Sequence, residues 1–334
     1  MKLIAAKLVA PRKFEFVEEP IPAPGPDEVL IEIVSCGVCM SEAPIYSGEE
    51  IGVPGVSFRY KEFPVSLGHE VTGIVAEKGS EVDRFDISDR VTGLVYSGCG
   101  FASHIVEKAD KLVKAPPNVP LQYALGEPVM SIVNLVRLTE PEFGDHLFMV
   151  GDGFMGLLTV AALARYPLES LIVVGHHYDR LKAAEELGAT LTVNSHDRDP
   201  WEAAMTLTDG RGVDISIEMA GRASTLQLAA SVIKAKQRGK LIMGGSYSQE
   251  TFTIGHYLQN RAPVLVPAYP SHSPDMSADL QRGVRAIETG IFPMEKLVTH
   301  SFSLDNLTEA METAMSKPDG FIKAIVVPNE SLLE

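Results

Sequence analysis

Cysteine is scarce in this chain: three in 334 residues, at Cys36, Cys39 and Cys99. So small and odd a number excludes the disulfide framework that staples small secreted domains. Tryptophan occurs once, and basic residues fall short of acidic ones, 29 against 44, leaving a net charge of −15. Such a surface repels phosphate backbones and anionic headgroups, which argues against nucleic acid or a membrane as partner. No apolar run approaches the roughly 18 residues of a membrane span. The opening MKLIAAKLVAPRKFEFVEEP is interrupted by charge too early to carry a signal-peptide core. The expectation is a cytoplasmic protein without repeats or low-complexity tracts. What is present is 45% hydrophobic and 22% charged, ordinary for a globular enzyme and enough for two domains.

The two expected domains differ in pattern. Residues 1–115 hold short Val- and Ile-rich runs, EVLIEIVSCGV, VTGIVAEKG, RVTGLVYSG and ASHIVEKADKLVKAP, cut by Gly, Pro and Asp. These read as strands, with no long helical period among them. Pro116 and Pro117 mark a boundary, and two helical stretches are expected to follow. From residue 146 strand and helix alternate: HLFMVG, then FMGLLTVAALARY; LIVVG, then DRLKAAEELGA closed by Gly188; LTVN, then a helix capped by Asp199 with Pro200 in its first turn; GVDISIEMAG, STLQLAASVIKA and GKLIMGG. Repeated βα units predict a parallel sheet covered by helices on both faces. The tail adds an amphipathic helix and a final apolar strand.

MVGDGFMGLL places Gly151, Gly153 and Gly156 at G-x-G-x-x-G spacing, after a strand and into a helix. Glycines there let the backbone approach a pyrophosphate, and the helix N-terminus offers unpaired N–H groups. Phe154 and Met155 belong to the same expected dinucleotide turn. A ligand-free tight turn is the bland alternative. At the end of the second strand a carboxylate normally takes the adenosine ribose of NAD. Here VVGHHYDRL puts Gly175 at that place, followed by His176, His177 and Arg180. Without the carboxylate a 2′-phosphate is not repelled, and imidazole and guanidinium groups suit it. NADP is therefore favoured over NAD, with Asp179 as an alternative ribose ligand if the loop turns inward. Gly244 and Gly245, after KLIM, are expected to let the cofactor pass close to backbone.

SCGVCMSE (35–42) and SLGHEVTG (66–73) supply Cys39, His69 and Glu70. Thiolate and imidazole suit zinc, and a carboxylate completes a set of three with one position open for a substrate oxygen. Taken alone, the C-x-x-C of Cys36 and Cys39 reads equally as redox or structural, and G-H-E as a core histidine beside a surface glutamate.

Taken in order, CGVC-x-S-E, P-x-S-L-G-H-E-V-T-G-I-V, SDRVTG, GEPVMSIVNLV, VGDGFMG and DISIEMAG resemble the zinc-dependent medium-chain dehydrogenase/reductase family, that is, the alcohol, polyol and threonine dehydrogenases. The resemblance covers essentially the whole chain. It implies a GroES-like β-rich catalytic domain, 1–120 plus 295–334, around an inserted Rossmann doubly wound domain, 121–294, with metal and nicotinamide meeting in the cleft. It maps a catalytic zinc onto Cys39, His69 and either Glu70 or Glu127, the last standing where many alcohol dehydrogenases have cysteine. It gives Ser41 the hydroxyl that bonds the substrate alcohol and relays its proton, and Glu42 the carboxylate that orients His69. The implied reaction is hydride transfer between a nicotinamide cofactor and a secondary alcohol, polyol or sugar, or the matching ketone or aldehyde. A homodimer or homotetramer is implied too, with PVLVPAY (263–269) suited to edge pairing of two sheets.

The chain departs from the family in places. It lacks the four-cysteine lobe of relatives with a structural zinc, so no structural zinc is expected, and Cys36 and Cys99 are expected to be small buried residues. Met40 and Pro44 stand where relatives carry basic or relay residues. Arg59, Tyr60 and Lys61 are expected at the surface, with contact to a polar substrate in the cleft as the alternative. Glu218 matches a position near the cofactor cleft without a catalytic role. Two alternatives stay open: a zinc-free NADPH-dependent quinone or enone reductase on the same plan, and a non-catalytic NADP(H)-binding protein.

Overall fold

The computed structural model describes residues 2–52, 61–95, 99–235, 238–247 and 256–333. The chain begins with a hairpin of β1 (Lys2–Ala10) and β2 (Lys13–Pro20). Then come β3 (Glu28–Gly37), α1 (Ala43–Tyr46), β4 (Glu70–Lys78), β5 (Arg90–Leu94), β6 (His104–Lys108), β7 (Leu112–Lys114) and α2 (Gly126–Thr139). Of the two helical stretches expected after Pro117, the first is a single 3₁₀ turn, Leu121–Tyr123, entered from Pro120; the second is α2. The alternating segment gives β8 (His146–Val150), α3 (Phe154–Leu163), β9 (Ser170–Gly175), α4 (Tyr178–Leu187), β10 (Leu191–Asn194), α5 (Pro200–Leu207), β11 (Ile215–Glu218), α6 (Ala223–Ser231), β12 (Lys240–Met243), α7 (His256–Arg261) and β13 (Val264–Pro267). α8 (Met276–Glu288), α9 (Met294–Leu297), β14 (Val298–Ser303), α10 (Leu307–Ser316) and β15 (Lys323–Val327) complete it.

The contacts group into two compact units, residues 1–130 with 277–334, and residues 131–276. In the first, the strands run in the order β14-β15-β3-β4-β5-β7, with β6 also paired to β3. Central β3 is buried along nearly its whole length, because the sheet curls over a core that includes Leu8, Ile31, Ile33, Val71, Phe85, Phe101 and Leu112. β15 enters the sheet beside β3, antiparallel, pairing Val326 with Cys36 and Ile325 with Gly37. β4 flanks the other side and pairs Glu70 with Gly37. The three segments that matter most to the site, 36–42, 69–70 and 323–325, are thus brought together by strand register.

The second unit is a six-stranded parallel sheet among the described residues, in the order β10-β9-β8-β11-β12-β13. The winding reverses between β8 and β11, so the carboxyl ends of these two strands define a switch point. β8 and β9 are almost wholly buried apolar strands, as a sheet covered on both faces requires. Local signals hold where the sequence carries them. Asp199 caps α5 by accepting the Trp201 N–H at 2.8 Å, and Gly188 ends α4 at φ 111°.

Candidate metal centre and dinucleotide turn

Cys39 leaves β3 just before a short 3₁₀ turn, Met40–Glu42, and His69 immediately precedes β4. The ligand atoms of Cys39, His69 and Glu70 lie within 4.8 Å of one another. The Ser41 hydroxyl donates to Cys39 Sγ at 3.2 Å. Glu42 is buried, and its Oε1 accepts the Gly68 backbone N–H at 2.7 Å and the His69 Nδ1–H at 2.9 Å. Beside a carboxylate Nδ1 acts as the donor, so Nε2 is the ring atom that would take an ion, which displaces any proton there. Burial opposes a charged His69, but Glu42 and Cys39 outweigh it, and the imidazole sits well above its ordinary value. One soft sulfur, one imidazole and one carboxylate make a donor set that fits zinc.

Glu70 is buried with a partner that sequence reading had passed over. Lys323 Nζ lies 2.7 Å from each Glu70 carboxylate oxygen and donates to the Val38 carbonyl at 2.9 Å. Burial alone would lower the lysine, but Glu70, followed by Cys39, raises it. Gly37 makes the arrangement possible, since a Cβ there would stand 2.0 Å from Glu70 Oε2. The signal for Lys323 was a single cation inside the apolar run FIKAIVV. A lysine buried in a strand needs a counter-charge.

Glu127 occupies the first turn of α2, whose start is anchored by the Gly126 N–H donating to Thr92 Oγ1 at 2.9 Å. It is not one of the three clustered ligand residues. Burial raises its carboxyl to about 7, moderated by His69 and Lys323 and reinforced by Glu70 and Glu42. Cys36 is fully buried, and Cys99 is half-buried against the same core. Met40 is exposed. Arg59 and Tyr60 lie outside the described residues, and Lys61 is exposed.

In the other unit the glycine turn runs between β8 and α3. Gly151 takes φ 123°, and its N–H donates to Val174 O at 2.9 Å. A Cβ on Gly156 would stand 2.1 Å from Gly151 O, so only glycine lets α3 start so close to the strand end. A Cβ on Gly153 would meet nothing within 4 Å, and as N-cap Gly153 offers no side-chain acceptor. The space beside Gly153 at the start of α3 is therefore open, of the kind a pyrophosphate fills. Phe154 is buried and Met155 half-buried beside it.

The end of β9 differs from the sequence expectation. Gly175 carries no carboxylate, but Asp152, from the glycine turn itself, supplies one. A Cβ on Gly175 would stand 2.2 Å from Asp152 Oδ2. That oxygen accepts the backbone N–H groups of His176 and His177, both at 3.0 Å, and faces His177 Nδ1 at 3.3 Å. Burial would raise the Asp152 carboxyl, but these bonds and nearby cations hold it below the usual range. Arg180 is buried and Asp179 exposed at the start of α4. At the switch point Glu218 is fully buried, accepting the N–H groups of Ala220 and Gly221 and the hydroxyls of Thr225 and Tyr247. Above Gly244 the space is taken by Met219 Sδ, 2.4 Å from where a Cβ would sit.

Comparison with known proteins accords with this geometry. Residues 25–124 match the alcohol dehydrogenase GroES-like domain, and residues 155–284 match the zinc-binding dehydrogenase domain. The chain is similar to the L-threonine 3-dehydrogenase of Pyrococcus abyssi (strain GE5 / Orsay), at 30% identity over 89% of this chain and 91% of that one. It is also similar to the sorbitol dehydrogenase of Bacillus subtilis (strain 168), at 29% identity over 97% of each. In three dimensions it resembles a protein of Sinorhizobium meliloti 1021 described as a zinc-binding dehydrogenase and crystallised with NADP: TM-score 0.84, 25% identity, 98% of this chain and 100% of that one. With a GroES-like N-terminal domain and a Rossmann-like parallel sheet, the chain belongs to the zinc-type medium-chain dehydrogenase/reductase family. It is an NAD(P)-dependent dehydrogenase.

Proposed function

We propose that this dehydrogenase moves hydride between a nicotinamide cofactor and a secondary alcohol, polyol or sugar, using one catalytic zinc and no structural zinc. The observation that carries the reading is the trio Cys39, His69 and Glu70, with Ser41 Oγ 3.2 Å from the cysteine sulfur. When bound, zinc supplies Lewis acidity toward a substrate oxygen and the nicotinamide supplies the hydride acceptor. Cys39 and His69 hold the ion, and Glu42 keeps His69 in the tautomer that presents Nε2. The third ligand is Glu70 or Glu127. Glu70 belongs to the clustered trio but shares its charge with Lys323, whereas Glu127 comes from α2. Ser41 would turn its hydroxyl from sulfur to the substrate alcohol and accept that proton as it releases its own to solvent water. Gly151, Gly153 and Gly156 hold the pyrophosphate.

For the cofactor we favour NADP, on Arg180 and the imidazoles of His176 and His177 around a Gly175 that bears no carboxylate. Asp152, a carboxylate at the same place, favours the second reading, NAD. Steady-state kinetics with both cofactors over a polyol, sugar and amino-alcohol panel tests the assignment, together with zinc analysis. Turnover that persists unchanged after chelation, in protein with under about half an equivalent of zinc, would favour the zinc-free reductase instead. An absence of turnover across the panel in zinc-loaded protein would favour a non-catalytic binder. We further propose a homodimer or homotetramer paired through β13, whose Leu265 is exposed on a sheet-edge strand. A cytoplasmic location suits three cysteines of which none forms a disulfide. Among the described residues no helix is long and apolar enough to cross a membrane.

A further inference from the structure

The loops leaving β8, β9 and β10 converge at the carboxyl edge of the parallel sheet, and each brings a group able to ligate a metal. Asp152 comes from the first, His176 and His177 from the second and His196 from the third. The ligand atoms of Asp152, His176 and His177 lie within 4.8 Å of one another. The rings of His176 and His177 are 4.1 Å apart at their centroids, and His196 presents an edge to His176 at 5.8 Å.

We propose that Asp152, His176 and His177, with His196 at the rim, form a second site for a borderline divalent ion such as Zn²⁺, and that the ion and the dinucleotide exclude one another there. Three features carry it. The 3.3 Å separation of His177 Nδ1 and Asp152 Oδ2 is also the edge of a tetrahedron with bonds near 2.0–2.1 Å, about 3.3 Å. Two backbone N–H groups hold Asp152 in place through Oδ2, and neither bonds Oδ1, whose lone pairs remain to the carboxylate for an ion. His176 and His196 are exposed, so an ion reaches the cluster from solvent.

The chemistry sets the class of ion. Two or three imidazoles with one carboxylate suit Zn²⁺, Ni²⁺ or Cu²⁺ rather than Mg²⁺ or Ca²⁺, which need several oxygens. The buried Arg180, which acts electrostatically on Asp152, further disfavours a hard cation held by charge alone. The antagonism rests on the dinucleotide reading above: this strand end is where the adenosine ribose and any 2′-substituent lie, so one place cannot hold both.

Equilibrium dialysis of the zinc-loaded full chain against added Zn²⁺ tests the site. One further equivalent is expected in the parent and in Cys39→Ser, and none in the doubly substituted His176→Ala, His177→Ala protein. In parallel, NADPH fluorescence titrations read the antagonism. At ten times the zinc dissociation constant the apparent NADPH constant rises about tenfold in the parent, and stays unmoved by zinc in the double variant. Equal zinc uptake by parent and double variant overturns the site. NADPH binding that zinc leaves unchanged or tightens overturns the antagonism. If the zinc-loaded protein binds no dinucleotide before further zinc is added, the cofactor reading and the antagonism fall together, and the dialysis still decides the site.

Discussion

A lysine buried in a strand is tolerated only with its charge met, and Lys323 meets Glu70 with both carboxylate oxygens at 2.7 Å. Removing one member of such a pair leaves the other charged and desolvated. Lys323→Met is therefore expected to lower unfolding free energy by about 3–5 kcal/mol, and the double variant Glu70→Gln, Lys323→Met to regain much of that, as read by denaturant titration. In the proposed site Glu42 would act on the ion through His69, whose Nδ1 lies 2.9 Å from its Oε1. Glu42→Gln is expected to weaken zinc binding by about 10–100-fold, measured against a chromophoric chelator, without the loss of fold that a core substitution brings. At this scale the sequence was partly legible. Cys39, His69 and Glu70 stand in short motifs whose spacing exposes them, and the structure brings their ligand atoms together. Lys323 lies 253 residues from its partner and has no motif; only the oddity of a cation in FIKAIVV pointed to it.

The elements were legible where periodicity and turn chemistry agree, as in β8 through β12 and the cap at Asp199. The link between Asp152 and Gly175 was not, because the middle residue of a G-x-G reads as free choice until the next strand end is placed beside it. That link is measurable. Gly175→Ala pushes a methyl into the Asp152 carboxylate and is expected to cost about 1–3 kcal/mol. In Asp152→Gly the three atoms nearest to that methyl are gone, and the same substitution should cost less, a coupling that a double-mutant cycle reports. A second carboxylate ties the start of β8: Asp214 accepts the His146 N–H at 2.8 Å and pairs with Lys234 at 2.5 Å. Burial would raise Asp214, but Lys234 and the His146 N–H bring it below its ordinary 3.8. A carboxyl lowered by folding stabilises above its unfolded value, and the contribution fades as pH falls through the folded one. Asp214→Asn is thus expected to lose stability at pH 7, by about 1.5–3 kcal/mol, and to flatten the decline below pH 3.8, as followed by thermal unfolding across that range.

The chain contains two units: the first comes from residues 1–130 and 277–334, and the second, 131–276, is inserted between them in sequence. The alternation of βα units announced the second unit. The first was harder to read because its sheet is completed from both ends of the chain, and pairings such as Ile325 with Gly37 leave no local trace. If β13 pairs two copies, light scattering should report twice the chain mass or four times it, and Leu265→Arg should shift it toward that of one chain. The discontinuity of the first unit also bears on biosynthesis. The ribosome makes Glu70 early and must complete the entire nucleotide-binding unit before Lys323 emerges, so through most of translation the carboxylate of the clustered trio waits without its counter-ion. Cys39, His69, Glu70 and Glu127 all precede residue 131, so every ligand proposed for zinc is made before that unit, while the charge that holds Glu70 arrives only with β15.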